Sequence, residues 1–125
     1  MTDPRQVFEG LRKVRNPEPF DLENGQRIHI KGLNTFERMC FADYVAAMKE
    51  AETGAQEMSF RIAAFVTHLG VVNTSGERVF ESIEDVVKVF GDIEGDGLAM
   101  VFSVAQAILD RSGLAARSGE SAEKN

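Results

Sequence analysis

Asp92, Glu94 and Asp96 stand at alternate positions in the segment Asp92-Ile93-Glu94-Gly95-Asp96-Gly97. Oxygen donors at the first, third and fifth positions with glycine at the sixth are how a helix-loop-helix calcium site begins. The closing position, the twelfth, is Ser103 rather than the bidentate Glu such a site needs, and Ser103 falls inside a helical pattern. The segment therefore reads as an inter-helix loop with Asp96 near a helix N-terminus, where the dipole favours a carboxylate. The two histidines, His29 and His68, are far apart in the chain, and neither has a partner that spacing alone would supply. Cys40 lies beside an apolar helical stripe with no His placed to activate it, so it reads as a small buried thiol. Phosphate-cradling Gly-Lys-Ser/Thr, Gly-x-Ser-x-Gly and paired-cysteine patterns are missing from the sequence. No catalytic residue, cofactor site or metal set is expected, and the chain is not expected to be an enzyme.

The elements that would position these groups follow from periodicity. Residues 1–19 hold all three prolines, Pro4, Pro17 and Pro19, and read as an arm; residues 20–114 read as one globular domain, and residues 115–125, small and polar, as a disordered tail. Phe20 and Leu22, then Ile28 and Ile30, alternate around Glu23-Asn24-Gly25, which predicts a β-hairpin. A two-residue Asn24-Gly25 loop would set Asp21 opposite Ile28 and mix charge with apolar surface on both faces. A three-residue loop with Gly25 in the left-handed region pairs Phe20 with Ile28 and Asp21 with Arg27, and is preferred.

Four helices are predicted after the hairpin. The first runs from about Thr35 to Ala51, with Asn34 and Glu37 at capping-box spacing and Phe41, Tyr44, Val45 and Met48 on one face. The second covers about Gln56 to Leu69, with Gly70 as its C-terminal cap. Val71 to Phe80 reads as a short extended pair around a glycine turn, and Ser82 caps a third, short helix ending at Gly91. In the fourth, from about Gly97 to Ser112, Leu98, Phe102, Ala105 and Leu109 form one apolar stripe and Val101, Val104 and Ile108 an adjoining one. An arc that wide makes the helix either the centre of the core or the donor of a further contact. The fold class is α+β, mainly α.

Composition narrows the function further. The 125 residues carry 20 Asp+Glu against 14 Lys+Arg, a net charge of −6, which disfavours nucleic acid and anionic membrane surfaces as partners. Six acids against Lys88 place five of those net charges between Glu81 and Gly97, a solvated face or a surface for a basic partner. One cysteine suits a reducing compartment. The start of the chain lacks the pattern of a signal peptide, and no apolar run reaches the length of a membrane span, so the expected location is the cytoplasm. Nine Phe and five Met against one Tyr and no Trp favour packing and association over chemistry.

The order of elements and two segments carry a family resemblance. A hairpin ending in Arg27-Ile28-His29-Ile30-Lys31-Gly32-Leu33, a capped helix, and a second helix leading into Val71-Val72-Asn73-Thr74-Ser75-Gly76-Glu77-Arg78-Val79-Phe80 precede a short and a long helix. With Phe80-Glu81-Ser82-Ile83-Glu84-Asp85-Val86, this resembles the tail assembly chaperones of long-tailed, lambda-like bacteriophages over about residues 20–114. The resemblance implies a non-catalytic factor of the host cytoplasm, not kept in the mature virion, that binds the tape measure protein and tail tube subunits during tail morphogenesis. It also implies a frameshifted longer form of the chain as a partner; Glu123-Lys124-Asn125 can be encoded by a slippery run of adenines. A homo-oligomer is a further expectation. The contact residues expected on this reading are Met100, Val101, Val104 and Ile108 of the fourth helix and Phe8 and Leu11 of the arm. Two other expectations compete: a minor connector or tube-end protein retained in the virion, and a calcium-responsive adaptor using the Asp92–Asp96 loop.

Overall fold

A computed structural model describes residues 3–7, 17–51 and 54–113. Phe8 and Leu11, and the tail expected at 115–125, lie outside the described residues.

Strands β1 (Glu18–Asp21), β2 (Arg27–Ile30) and β3 (Val71–Val72) form an antiparallel sheet in the order β1-β2-β3. The hairpin pairs Phe20 with Ile28 and Asp21 with Arg27, the register that sets apolar against apolar and acid against base next to the loop. Leu22 N–H donates to the Gln26 carbonyl at 2.7 Å, Gly25 N–H donates to the Leu22 carbonyl at 2.9 Å, and Gly25 has a φ of 88°. The loop thus has three residues, with glycine where a side chain would be strained. The strand starts earlier than composition suggests: Glu18 and Pro19, assigned above to the arm, are paired with Ile30 and His29. Proline is tolerated there because β1 is the edge of the sheet.

Four helices follow, α1 (Thr35–Glu50), α2 (Ala55–Gly70), α3 (Ile83–Gly91) and α4 (Gly97–Arg111), and residues 4–7 are helical. The fold is α+β and mainly α. Each of three helix starts uses the cap its sequence offers. Asn34 Oδ1 accepts the Glu37 N–H at 2.8 Å while Glu37 Oε1 accepts the Asn34 N–H at 3.0 Å, a complete capping box. Ser82 Oγ accepts the Asp85 N–H at 3.2 Å, and Asp96 Oδ1 accepts the Ala99 N–H at 3.3 Å. Ser82→Ala is expected to lower stability by about 1 kcal/mol, read as a shift of the urea midpoint with an unchanged slope.

Between α2 and α3, Asn73 organises the turn. Its side-chain oxygen accepts the N–H groups of Ser75 and Glu77 at 2.9 and 3.0 Å, and Gly76 takes a φ of 87°. Val72 then bridges to Arg78. Gly70 departs from its expected role as a left-handed cap. It is the last residue of α2, with Val71 in extended conformation after it, and it is not among the glycines of positive φ. Its small size is used differently: a Cβ there would lie 2.6 Å from two carbon atoms of Ile108.

α2 packs against α1, α3 and α4, and its union with α4 is the centre of the molecule. Ala63, Ala64, Val66 and Leu69 of α2 meet Val101, Val104, Ala105 and Ile108 of α4, with Val86, Ile30, Leu33 and Val71 closing the cluster. Backbone ties hold the sheet to both helix ends. Lys31 N–H donates to the Gly70 carbonyl at 2.9 Å, and Leu33 N–H donates at 2.8 Å to Ser112 Oγ, which itself donates to the Ile108 carbonyl at 2.7 Å.

Candidate interaction surface

α4 presents Val101, Val104 and Ile108 to α2, and all three are fully buried, with Ala105 5% exposed. The expectation that Val101, Val104 and Ile108 meet another protein is therefore corrected: they are core, inaccessible in the folded chain. Met100, beside them, is half-buried. The physical reason lies in which edge of a wide apolar arc turns inward. Ala105 and Gly70 let α4 and α2 approach closely along the Val101–Ile108 stripe, and the bulkier stripe is pushed to the rim. Leu98 and Phe102, one helical turn apart, are each 39% exposed there. Phe20 of β1 joins Phe102, Ser103, Gln106, Ala107 and Asp110 around an open depression of about 460 Å³.

The charges around this face are acidic. Asp110 lines the depression, where Gln106 donates to its carboxylate at 3.1 Å, and Asp96 caps the start of the same helix. Part of the acidic stretch before α4 is already engaged: Arg61 of α2 donates to Glu84 at 2.9 Å and to Glu57 at 3.3 Å. No group of three or more His, Cys, Asp or Glu among the described residues is arranged to hold a metal ion.

A second apolar surface was not legible as such in the sequence. On α1, Phe36 is 78% and Met39 58% exposed. The inward face of α1 is narrow, held by Tyr44 stacked on Phe65 of α2 at a ring-centroid distance of 4.5 Å and by the half-buried Phe41 and Met48. Cys40, expected to be a buried thiol, is exposed: it stands one turn before Tyr44, at the flank of the narrow contact that Tyr44, Phe41 and Met48 make. A concavity of about 700 Å³ runs along the helix past Met39, Phe41, Ala42, Val45 and Ala46. The signal that would have found it is the spacing of Thr35, Met39, Ala42, Ala46 and Lys49, alternating steps of four and three residues on the side away from Tyr44.

Two titratable groups tie separate segments of the chain together. His68, for which spacing offered no partner, has Nδ1 2.9 Å from the Phe80 carbonyl, fixing the loop before α3. Glu37 is 7% exposed and binds Lys31 through Oε1 and Arg78 through Oε2, the latter at 2.8 Å. Burial pushes its carboxyl pKa up, but the Asn34 N–H and the two cations outweigh that and hold it below the ordinary value.

No family model, no curated protein and no solved structure matches this chain. No helix among the described residues is long and apolar enough to cross a membrane.

Proposed function

We propose that this chain is a non-catalytic assembly chaperone of long-tailed bacteriophages, binding the tape measure protein, and tail tube subunits, in the host cytoplasm until the tail is built. A tape measure protein is long and apolar, and a small acidic chain that covers it reversibly suppresses its self-association by mass action. The observation that carries this reading is the exposed Leu98–Phe102 face of α4 beside Phe20, rimmed by Asp110 and following the acidic stretch 81–97. Such a face offers an apolar partner area for contact while its acidic border keeps the free protein dispersed. The frameshifted longer form belongs to the same proposal, carrying the same face on a larger product.

The test is capture of tape-measure segments by the immobilised chain. Leu98→Glu together with Phe102→Glu is expected to weaken capture about tenfold or more, the range of a central apolar anchor, without lowering the thermal midpoint. Undiminished capture by that variant removes α4 as the client surface. Finding the chain in stoichiometric amount in purified particles removes the chaperone reading in favour of a retained tail component.

A further inference from the structure

α1 carries a seam that its own fold leaves uncovered. Thr35, Met39, Ala42, Ala46 and Lys49 repeat with the 3.5-residue period of a two-helix coil. Thr35, Met39, Ala42, Ala46 and Lys49 are all exposed, and the seam points nearly opposite to the Tyr44–Phe65 contact that attaches α1 to α2. The flanking charges are of opposite sign and unused: the side chains of Arg38, on one flank, and Asp43, on the other, take part in no ion pair among the described residues. These two residues are five apart, too far around the helix to meet each other within one chain. Five residues is, however, the offset at which the flanks of two parallel helices meet across a coiled-coil seam.

We propose that α1 packs in parallel against α1 of a second copy of this chain about a two-fold axis, with Arg38 of each copy facing Asp43 of the other. The same axis sets Lys49 beside Glu50 of the other copy at the open end of the seam. An antiparallel arrangement would instead bring the flank holding Asp43 and Glu50 against its own acids. The α4 face is a poorer site for self-contact, since its border is acidic on both copies. Small residues at Ala42 and Ala46 let the helix backbones come close, with Met39 filling the layer before them. Four turns of helix bury less than the ~800 Å² per partner of a standard stable interface, so the dimer is a weak one, in the micromolar range. It leaves Leu98 and Phe102 of both copies free, and a dimer would engage a long client at two points with a gain in avidity. The dimer itself does not depend on what that client is.

Sedimentation equilibrium of the full chain from about 1 µM to 1 mM tests it. The wild type is expected to pass from monomer to dimer across that range. Arg38→Asp and Asp43→Arg are each expected to raise the dissociation constant about tenfold, and the two together in one chain to restore it. In a Cys40→Ser background, Ala42→Cys is expected to form an intermolecular disulfide on oxidation, because equivalent seam positions face each other only in the parallel pair. A chain that stays monomeric up to 1 mM overturns the proposal. So does a doubly reversed variant no tighter than the single ones, or a persisting dimer in which Ala42→Cys fails to crosslink.

Discussion

Glu37→Ala is expected to destabilise the chain by about 3 kcal/mol, as loss of one member of a buried ion cluster does. Glu37 sits where three segments converge: Lys31 at the end of β2, Asn34 at the start of α1 and Arg78 beyond the glycine turn. Its removal leaves the Lys31 ammonium, whose side chain is only 15% exposed, without its counter-charge, and opens one half of the capping box. The same group makes stability depend on pH with a definite sign. Because the folded state holds the carboxyl below its ordinary pKa, the unfolded chain binds more protons as the solution is acidified. Glu37 therefore contributes fully above the ordinary carboxylate range, and its contribution is lost as pH falls through the folded value. Urea unfolding at pH 7 and at acid pH, compared between wild type and Glu37→Gln, is the check. The wild type should lose more on acidification, and equal losses would show that Glu37 has no such linkage.

Gly70→Ala is expected to cost about 1–3 kcal/mol, although alanine is the better helix former by about 1 kcal/mol. The new Cβ would stand 2.6 Å from Ile108 Cδ1 and Cγ2 and 2.8 Å from Cγ1. Ile108 is completely buried, so it has no free direction in which to give way. Shortening Ile108 to alanine removes Cδ1, Cγ1 and Cγ2, all three of the atoms in the way. Gly70→Ala with Ile108→Ala should therefore cost less than the sum of the two single changes, by about 1 kcal/mol in a double-mutant cycle of chemical unfolding. Strict additivity would mean that the helices do not meet at this point.

Where sequence and structure agree, local chemistry decided the outcome. The hairpin register follows from matching Phe20 with Ile28 and Asp21 with Arg27, and Asn34-x-x-Glu37 and Ser82 mark helix starts through hydrogen bonds made within one turn. What the sequence left open was set by long-range packing. Periodicity shows that α4 has two apolar stripes, but the choice of the Val101–Ile108 stripe as core depends on Gly70, more than thirty positions earlier in the chain. For Gly70 the sequence predicts a C-terminal cap, but a glycine at a helix end has two uses, a left-handed cap or a close approach, and only the neighbouring helix distinguishes them. Cys40 and Phe36 are exposed for a related reason: α1 touches the rest of the molecule along one narrow edge, so an apolar residue on it is no guide to burial. The hydrogen bond between His68 and the Phe80 carbonyl, twelve residues on, was likewise invisible before the intervening turn was placed.

The most direct test of the proposed function is co-expression of this chain with the tape measure protein encoded by the same genome, measuring how much of that protein stays soluble. With the wild-type chain the tape measure protein should remain in solution, and with the Leu98→Glu, Phe102→Glu variant it should precipitate. Equal precipitation with both chains, or a genome with no such protein to test, would contradict the proposal.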